Sequence, residues 1–370
     1  MIKIDKTLRN IKGYIPGKPT EELKRELKLK EVYKLASNEI PFSPLYIKKA
    51  VEEELKNINR YPEGNCFYLR KKIAKKFRVK EDQIVFGNGS DEIVVLALRS
   101  FIRKKNEEVI VGFPTFLIYE LQSKIHQAKV LRVPFKNYRY DLEGMLKAIT
   151  KNTKVIFIAN PDNPCGTYLS HKEIEEFLDR VPSQVLIFFD EAYYEFVDRK
   201  DFPKSLEFLK KRKNLIITRT FSKAYGLAGL RIGYAITSSS IAEILNKVRE
   251  PFNVNRIAQR AALVALENKE VLKRVCNYIK KEREYLYQQL ARLNLEFIKS
   301  VTNFILVNFK RDVDKLNSYF LKKGIIIRPL TSWGLKNFFR VTVGKHKENV
   351  KFIRELSNYL KKEEIYDYRI

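Results

Sequence analysis

The stretch TFSKAYGLAGLRIGY, residues 220–234, continues from the strand-like run NLIITRT and holds a lysine beside a serine. A tract of alanine and glycine follows Lys223, and Arg231 comes eight positions after that lysine. Small residues allow a ligand to approach the backbone closely, and Ser222 with Arg231 can bind a phosphate. A solvent-exposed lysine needs no such neighbours. The stretch therefore predicts a site in which Lys223 meets an anionic ligand at the end of a strand.

Seven strand-like runs, with helical patterns between several of them, predict the architecture around this stretch. The runs are continuous in apolar residues rather than alternating, which is typical of strands covered on both faces. Strands that alternate with helices predict an α/β fold with a mostly parallel, doubly wound central sheet and helices on both faces. The runs are QIVFG (83–87), EVIVG (108–112), KVLRVPF (129–135), KVIFIAN (154–160), VLIFFD (185–190), NLIITRT (214–220) and RIGYAIT (231–237).

The sequence pattern changes near Pro251, which predicts a second, smaller domain. Two long helical patterns follow, and after them come the strand-like runs NFILVNF, GIIIRP and FFRVTVG with further helical segments. We expect three parts. They are an N-terminal arm over 1–40 that packs with the small domain, a large domain over 41–250, and a small C-terminal α/β domain over 251–370.

Composition predicts a globular protein of a reducing compartment. The chain is 45% hydrophobic, and no apolar run approaches the roughly 20 residues that cross a bilayer, so no membrane partner is expected. The start, MIKIDKTLRNIKG, lacks the apolar segment of a secretory signal. Three widely spaced cysteines, Cys66, Cys165 and Cys276, and three scattered histidines show no metal-ligand spacing. We therefore expect a cytoplasmic protein with no metal site.

The formal net charge of +28 has two interpretations. One is nucleic-acid binding through a basic surface. The other is a solvated surface suited to high temperature or to anionic substrates. Basic residues are spread along the whole chain with acidic residues among them, and no nucleic-acid-binding motif or basic tail is present. This distribution favours the second interpretation, and no nucleic-acid partner is expected.

Polar residues collect where four of the predicted strands end. QIVFG leads into NGSDE, KVIFIAN into PDNPCGT, VLIFFD into EAYYEF, and NLIITRT into FSKAYG. Ligands of open α/β sheets bind beyond the carboxyl ends of the strands. Lys223 is therefore expected to share one edge of the sheet with the other three segments.

Each of those three segments has a second interpretation when it is viewed alone. Gly89 permits a tight turn before a helix whose first amides can bind an anion, yet Ser90 and Asp91 could simply cap that helix. Asp190 emerges from a buried strand and needs a cationic or proton-bearing partner, but it could also be a helix N-cap. The loop that carries Asn163 between two prolines could be a plain turn.

Taken together, the four segments meet the requirements of one cofactor, pyridoxal 5'-phosphate. That cofactor needs a lysine for a Schiff base, a carboxylate facing its ring nitrogen, donors to its phenolic oxygen and a cradle for its phosphate. Lys223 and Asp190 meet the first two needs, Asn163 and Tyr193 the third, and the turn at Gly89 the fourth. The conjunction at strand ends is stronger evidence than any single element.

The chain resembles the fold-type I, pyridoxal-phosphate-dependent aminotransferases of class I/II, and more narrowly the histidinol-phosphate aminotransferase family. The motifs YIPGKP, SNEIPF, NRYPEG, GNGSDEIV, NPDNPCGT, DEAYYEF, TFSKAYGLAGLRIGY, IIIRP and FFRVTVG carry the resemblance over nearly the whole length. It implies a transferase of histidine biosynthesis. The implied reaction interconverts histidinol phosphate and 2-oxoglutarate with imidazole acetol phosphate and glutamate.

The resemblance assigns roles to the cofactor-binding residues. Lys223 would hold the cofactor and then move a proton, and Asp190 would pair with the ring nitrogen. Asn163 and Tyr193 would bond the phenolic oxygen, and Phe116 would stack on the ring at a position where a tyrosine is commoner. The residues implied around the cofactor phosphate are Gly89, Ser90, Asp91, Ser222 and Arg231.

The resemblance also implies substrate-binding residues and a homodimer. Arg340 in FFRVTVG would bind an anionic substrate group, with Arg328 and Tyr14 as further contacts to the substrate phosphate. Asn38 in SNEIPF would lie at the mouth of that site. Tyr61 in NRYPEG would reach the cofactor phosphate of the neighbouring subunit. The alternative for Arg340 is an ordinary surface position on a strand.

The sequence leaves other functions open. An aromatic or broad-specificity aminotransferase and a phosphothreonine decarboxylase share the fold and the lysine motif. A nucleic-acid-binding or regulatory protein that retains the cofactor fold is the alternative from a different class. YIPGKP and IIIRP accompany the lysine motif and favour the histidinol-phosphate family. Cys165 stands in NPDNPCGT where threonine is usual in the family, and we expect a buried thiol that preserves the geometry.

Overall fold

A computed structural model describes residues 8, 9, 11 and 13–367, with side chains up to residue 362. The chain divides into two compact units. The first contains Met1–Tyr14, Ser43–Asn163 and Thr167–Lys273, and the second contains Ile15–Phe42, Pro164–Gly166 and Arg274–Ile370.

Thirteen strands lie in the described part of the chain. The first unit holds one seven-stranded sheet, of order β2-β8-β7-β6-β5-β3-β4. The second holds the four-stranded sheet β12-β13-β10-β9 and the short pair β1-β11. The strands are β1 (Tyr33–Lys34), β2 (Ile84–Gly87), β3 (Glu108–Phe113), β4 (Lys129–Pro134), β5 (Thr153–Ala159), β6 (Leu186–Asp190), β7 (Leu215–Thr220), β8 (Gly233–Ile236), β9 (Glu296–Ile298), β10 (Phe304–Asn308), β11 (Ile325–Ile326), β12 (Arg328–Leu330) and β13 (Leu335–Thr342).

Thirteen α-helices lie in the same described residues, and none of them is both long enough and apolar enough to cross a membrane. They are α1 (Thr20–Leu27), α2 (Lys48–Leu55), α3 (Phe67–Phe77), α4 (Ser90–Phe101), α5 (Leu117–Ile125), α6 (Leu142–Lys147), α7 (His171–Arg180), α8 (Ser205–Lys211), α9 (Ser239–Val248), α10 (Arg256–Glu267), α11 (Lys269–Arg292), α12 (Val313–Lys322) and α13 (His346–Asp367). Side chains cap the N-termini of several of these helices. At α7, for example, Ser170 and Glu173 each accept a hydrogen bond from the other's amide.

The seven strands of the large sheet are the seven runs predicted from the sequence. β4, β3, β5, β6 and β7 pair in parallel, and β8 runs antiparallel between β7 and β2. The predicted α/β class with a mostly parallel sheet is therefore confirmed. Because β2 and β7 are both antiparallel to β8, they point the same way. The carboxyl ends of β2, β3, β5, β6 and β7 thus lie at one edge of the sheet, where β8 begins.

Both faces of this sheet are buried, which explains the continuous apolar runs. Along β5, Ile156 and Ile158 belong to one core, whereas Val155 and Phe157 belong to the other. Helices α7 and α10 contribute to the first core, and α4 and α9 contribute to the second. Successive side chains of a strand point to opposite faces, so a strand covered on both sides must be apolar at every position.

The observed boundary between the units differs from the predicted one at residue 251. It falls inside the continuous helix α11, and residues 251–273 belong to the first unit because α10 packs against α2 and α3. The predicted arm over 1–40 begins with positions outside the described residues. Its residues 15–40 belong to the second unit, where β1 pairs in parallel with β11.

Candidate active site

Five loops meet at the edge of the large sheet where its parallel strands end. Each loop follows one of β2, β3, β5, β6 and β7, and the residues just before β8 enter from the same edge. This edge carries all but one of the cofactor-binding residues inferred from the sequence, the exception being Tyr61. The residues found there are Gly89, Ser90, Asp91, Phe116, Asn163, Asp190, Tyr193, Ser222, Lys223 and Arg231.

The loop after β2 forms an anion site at the start of α4. Gly89 is the N-cap of this twelve-residue helix and has a φ of +82°, a conformation that favours glycine. No side chain caps the helix at this position. Ser90 and Asp91 form the first helical turn, so the alternative in which they cap the helix is wrong. The amides of a first turn point out of the helix end and favour negative charge.

Arg231 reaches this anion site from the start of β8. Its Nη1 atom donates to Ser222 Oγ at 3.4 Å, and its Nη2 atom donates to Asp91 Oδ2 at 3.3 Å. A Cβ atom on Gly89 would lie 2.3 Å from Arg231 Nη2, so any larger residue would displace the guanidinium. At Gly233, a Cβ atom would lie 2.5 Å from the amide nitrogen of Ser90. Two glycines thus let β8 and its arginine lie against the helix start.

Asp190 is a buried carboxylate at the end of β6. Burial raises the pKa of its carboxyl group to about 6, because the ionised form loses contact with water. Two donors offset part of this cost: the Tyr119 hydroxyl donates to Oδ2 at 2.6 Å and the Ala192 amide donates to Oδ1 at 3.0 Å. A cationic or proton-bearing group beside this carboxylate would stabilise its ionised form further.

Lys223 and Tyr193 lie close together on the loops after β7 and β6. The Lys223 Nζ atom lies 5.6 Å from the centre of the Tyr193 ring, and that tyrosine is buried. Lys223 itself is half-buried, as are Asn163 and Phe116. The Phe116 ring meets the Tyr119 ring edge to face, with 5.5 Å between centroids. The amine of Lys223 is therefore partly shielded from solvent.

Tyr119 is a site residue that the sequence analysis missed. It is 1% exposed, and its ring stacks on Phe157 with 4.8 Å between centroids and 8° between planes. Its position three residues after Phe116 was an available signal, because residues at that spacing project from the same side of a helix. The bond to Asp190 could not be inferred, since it depends on how α5 packs over β6.

A buried ion pair, also missed, links β7, the strand that precedes Lys223, to the residue that follows Asp190. Arg219 Nη2 lies 2.8 Å from Glu191 Oε2, Nε donates to the same oxygen at 2.9 Å, and both side chains are almost fully buried. The guanidinium carbon lies 3.5 Å from the centre of the Tyr194 ring. Nothing in the runs VLIFFD and NLIITRT signals this pair, because it requires β6 and β7 to lie side by side.

In the second unit, Arg328 and Arg340 are direct register partners on β12 and β13. They are 7% and 5% exposed, so Arg340 is not the surface residue that the sequence left open. Arg340 Nη2 donates to the Ala36 carbonyl and Arg328 Nη2 to the Ile15 carbonyl, each at 2.7 Å. Two buried cations at opposed positions repel each other, and a bound anion would offset that repulsion.

The remaining predicted residues have different surroundings. Asn38 is buried in the second unit, where its amide donates to Thr342 Oγ1 at 3.0 Å. Tyr14 is exposed. Tyr61 is 79% exposed and stacks on Phe252 with 4.8 Å between ring centroids. Cys165, the departure from the family pattern, is fully buried.

These residues fit pyridoxal 5'-phosphate. The glycine-lined helix start with Arg231 is a cradle for the phosphate, which a Cβ atom at Gly89 would fill. The buried Asp190 needs the proton-bearing partner that the ring nitrogen provides, and Lys223 offers a shielded amine for the aldehyde. Fold and site together define a pyridoxal-phosphate-dependent transferase of fold-type I.

Comparison with known proteins identifies the family. The model for aminotransferase class I and II matches residues 30–356. A histidinol-phosphate aminotransferase from Caldicellulosiruptor saccharolyticus is 44% identical over 354 residues, which cover 95% of this chain and 99% of that protein. The chain belongs to the class I and II aminotransferases and, within them, to the histidinol-phosphate aminotransferase family.

Solved structures agree with this assignment. Histidinol-phosphate aminotransferase from Sinorhizobium meliloti, in complex with pyridoxal-5'-phosphate, has a TM-score of 0.89 at 26% identity and covers 98% of both chains. L-threonine-O-3-phosphate decarboxylase from Porphyromonas gingivalis has a TM-score of 0.79 at 25% identity, covering 89% of this chain and all of that one. The predicted fold type, cofactor and aminotransferase activity are confirmed.

The raised pKa of Asp190 gives the first prediction. A carboxyl group whose folded-state pKa lies above its ordinary value of 3.8 destabilises the cofactor-free fold above pH 6, and the penalty fades as the pH falls towards 4. The Asp190→Asn variant should therefore be more stable than the parent by about 2–3 kcal/mol at pH 8, and equally stable near pH 4. Urea unfolding of both cofactor-free proteins measures the difference.

The control for this prediction is Asp82→Asn, which changes an exposed carboxylate of the same unit. This variant should match the parent at both pH values. A lower stability of Asp190→Asn at pH 8 would show that hydrogen bonds to the carboxylate outweigh its desolvation.

Proposed function

We propose that this aminotransferase interconverts histidinol phosphate and 2-oxoglutarate with imidazole acetol phosphate and glutamate, in the biosynthesis of histidine. The observation that carries the proposal is the buried pair Arg328 and Arg340. One substrate has a phosphate where the other has a carboxylate, and a guanidinium binds either group through two parallel hydrogen bonds. The names of the similar proteins support the same reaction.

Lys223 is the proposed catalytic base. Its amine would hold the cofactor covalently between turnovers, and the substrate amine would displace it. The freed amine would then take the proton from the substrate carbon that bears the amino group. When bound, the cofactor supplies an electron sink for the pair left at that carbon. Partial burial of Lys223 beside Tyr193 supports this role.

The residues around Lys223 would orient the cofactor ring. Asp190 would hold a proton at the ring nitrogen, which a buried carboxylate does well because water screens its charge little. Tyr193 and Asn163 would hydrogen-bond the phenolic oxygen, and Phe116 would pack against the ring face. The residues proposed to hold the phosphate are Gly89, Ser90, Asp91, Ser222 and Arg231.

The substrate-binding residues inferred from the sequence would hold the anionic group of each substrate. Arg340 would bind the distal carboxylate of glutamate and the phosphate of histidinol phosphate in turn. Arg328 and Tyr14 would add contacts to the phosphate, and Asn38 would lie at the mouth of the site. Burial of the two arginines supports this assignment, since removal from water strengthens their attraction for an anion.

We propose a homodimer in which Tyr61 reaches the cofactor phosphate of the neighbouring subunit. Support comes from the exposure of Tyr61 and of Phe252, the ring on which it stacks. Exposed aromatic pairs are typical of surfaces that another protein covers. We also propose a cytoplasmic location, which the wide spacing of the three cysteines supports.

The substrate assignment predicts a strong preference among amines. The purified holoenzyme should convert histidinol phosphate with a kcat/KM at least about 100-fold above that for phenylalanine, which lacks the charge-assisted bonds to a phosphate. It should release no carbon dioxide from phosphothreonine. Single-turnover absorbance changes of the bound cofactor measure the reaction rate with each amine, and Lys223→Ala should give no keto product.

Three outcomes would contradict this assignment. Faster turnover of phenylalanine would indicate an aromatic aminotransferase, and carbon dioxide from phosphothreonine would indicate a decarboxylase. Salt-sensitive binding to DNA duplexes without turnover of any amine would indicate the nucleic-acid-binding alternative.

The two arginines should affect the two substrates differently. Arg340→Gln should lower kcat/KM for both histidinol phosphate and glutamate by about 100-fold or more, because a bidentate charged contact is lost. Arg328→Gln should weaken histidinol phosphate more than glutamate. Steady-state kinetics with each substrate tests this. Arg354→Gln, which changes an exposed arginine of the same unit, is the matched control. Equal losses on both substrates for both variants would contradict the division of roles.

The dimer assignment predicts complementation between two defective variants. Tyr61→Ala and Lys223→Ala subunits, given different affinity tags, can be co-expressed and their mixed dimer purified. If Tyr61 acts across subunits, one of the two sites is intact and the mixed dimer should show about half the parent activity. If Tyr61 acts within its own subunit, no activity beyond that of the Tyr61→Ala dimer should appear.

A further inference from the structure

The hydroxyl of Tyr119 donates a hydrogen bond to the Asp190 carboxylate at 2.6 Å. Both groups are buried, and hydrogen bonds from a neutral donor to a carboxylate are stronger there than in water. Tyr119 is not among the residues that were given a role in the proposed reaction.

The ring of Tyr119 is held on two sides. It stacks on Phe157, a core residue of β5, and its edge meets the ring of Phe116. Burial raises the pKa of the Tyr119 phenol well above 10, so the hydroxyl keeps its proton and acts as a donor. The donor therefore has one protonation state and one orientation.

Few charged groups face Asp190. Burial raises the pKa of Asp190 most and the Asp91 carboxylate on α4 raises it further, whereas the hydrogen bonds from the Tyr119 hydroxyl and the Ala192 amide lower it. Asp162 and Tyr140 act electrostatically on Tyr119, and Tyr140 and Asp190 also interact electrostatically. Tyr119 is thus the main side-chain donor that favours ionised Asp190.

We infer that Tyr119 is a positioning residue for the aminotransferase reaction: its hydroxyl keeps the Asp190 carboxylate ionised and oriented, so that Asp190 can hold the proton on the cofactor's ring nitrogen. The inference rests on the proposed role of Asp190. A carboxylate that receives a strong hydrogen bond is a weaker base. The proton shared by Asp190 and the ring nitrogen then stays on the nitrogen, where it is needed to withdraw electrons from the reacting carbon.

The decisive experiment measures Asp190 itself, in the cofactor-free protein. Carboxyl carbons of aspartate are labelled with carbon-13, and the Asp190 signal is identified by its absence in Asp190→Asn. Tyr119→Phe should raise the titration midpoint of Asp190 by about one to two pH units, the effect of losing one hydrogen bond to a charged group. Because no substrate is present, this result is independent of the substrate assignment.

Tyr140→Phe is the matched control. Tyr140 is another buried tyrosine, and its hydroxyl hydrogen-bonds Thr115 Oγ1 and the Ala159 amide, whereas that of Tyr119 donates to the Asp190 carboxylate. The Tyr140→Phe substitution, like Tyr119→Phe, removes a hydroxyl oxygen from a buried tyrosine. It should leave the titration midpoint of Asp190 within about 0.3 pH units of the parent. An unchanged midpoint in Tyr119→Phe, or an equal shift in both variants, would overturn the inference.

The holoenzyme provides a second readout. Tyr119→Phe should lower kcat by about tenfold with little change in the KM for the amine, since the missing interaction matters in the transition state and not in substrate binding. The pH profile of kcat should shift with the Asp190 midpoint. A rise in KM at unchanged kcat would contradict the positioning role, whichever amine the enzyme prefers.

Substitution by 3-fluorotyrosine keeps the test informative if Tyr119→Phe fails to fold. Fluorine makes the phenol a stronger donor while preserving the ring and hydroxyl. The Asp190 midpoint should then move below that of the parent protein, opposite to the effect of Tyr119→Phe. A midpoint that stays at the parent value or rises would overturn the inference.

Discussion

The parallel pairing of β5, β6 and β7 is the constraint on which the site depends. It places Ala159 beside Asp190, and Asp190 beside Thr218, so the three loops that follow must leave the sheet together. The antiparallel β8 then brings Arg231 back to the same edge. A register shift of one residue in β6 would turn Asp190 to the opposite face of the sheet. The Glu191–Arg219 ion pair opposes such a shift, because separating it would leave two buried charges without compensation.

Each of the two units contains buried charged groups that reduce the stability of the protein alone. Asp190 is a buried carboxylate with a raised pKa, and the opposed Arg328 and Arg340 are buried cations. A fold selected only for stability would place apolar residues at such positions. In the proposed roles, each of these groups would face an oppositely charged or proton-bearing group on the cofactor or substrate. Ligand binding would add interactions that stabilise these charges further.

The sequence predicts the large sheet well because its strands are buried on both faces. Such strands are continuous apolar runs, and each of the seven runs is a strand. It also predicts which loops gather at one edge, since parallel strands end on the same side. Contacts across elements are harder to infer. The sequence around Arg219 gives no sign that this strand residue is buried in an ion pair. Only the pairing of β6 with β7 brings it to Glu191. Tyr119 and the unit boundary inside α11 likewise depend on packing.

The two anion sites use different physical devices, and the difference follows from what each proposed ligand does. The cofactor stays bound, so its phosphate can be held by the start of α4 and a half-exposed arginine, each of modest strength in water. A substrate anion must bind and leave in every turnover, and the site must accept both a carboxylate and a phosphate. Buried guanidiniums meet both demands, because their fork geometry suits either anion and desolvation makes the contact strong without covalent help. Lysine would provide a charge at these positions without that geometry. The ability to bind both a carboxylate and a phosphate would therefore be the first property to be lost.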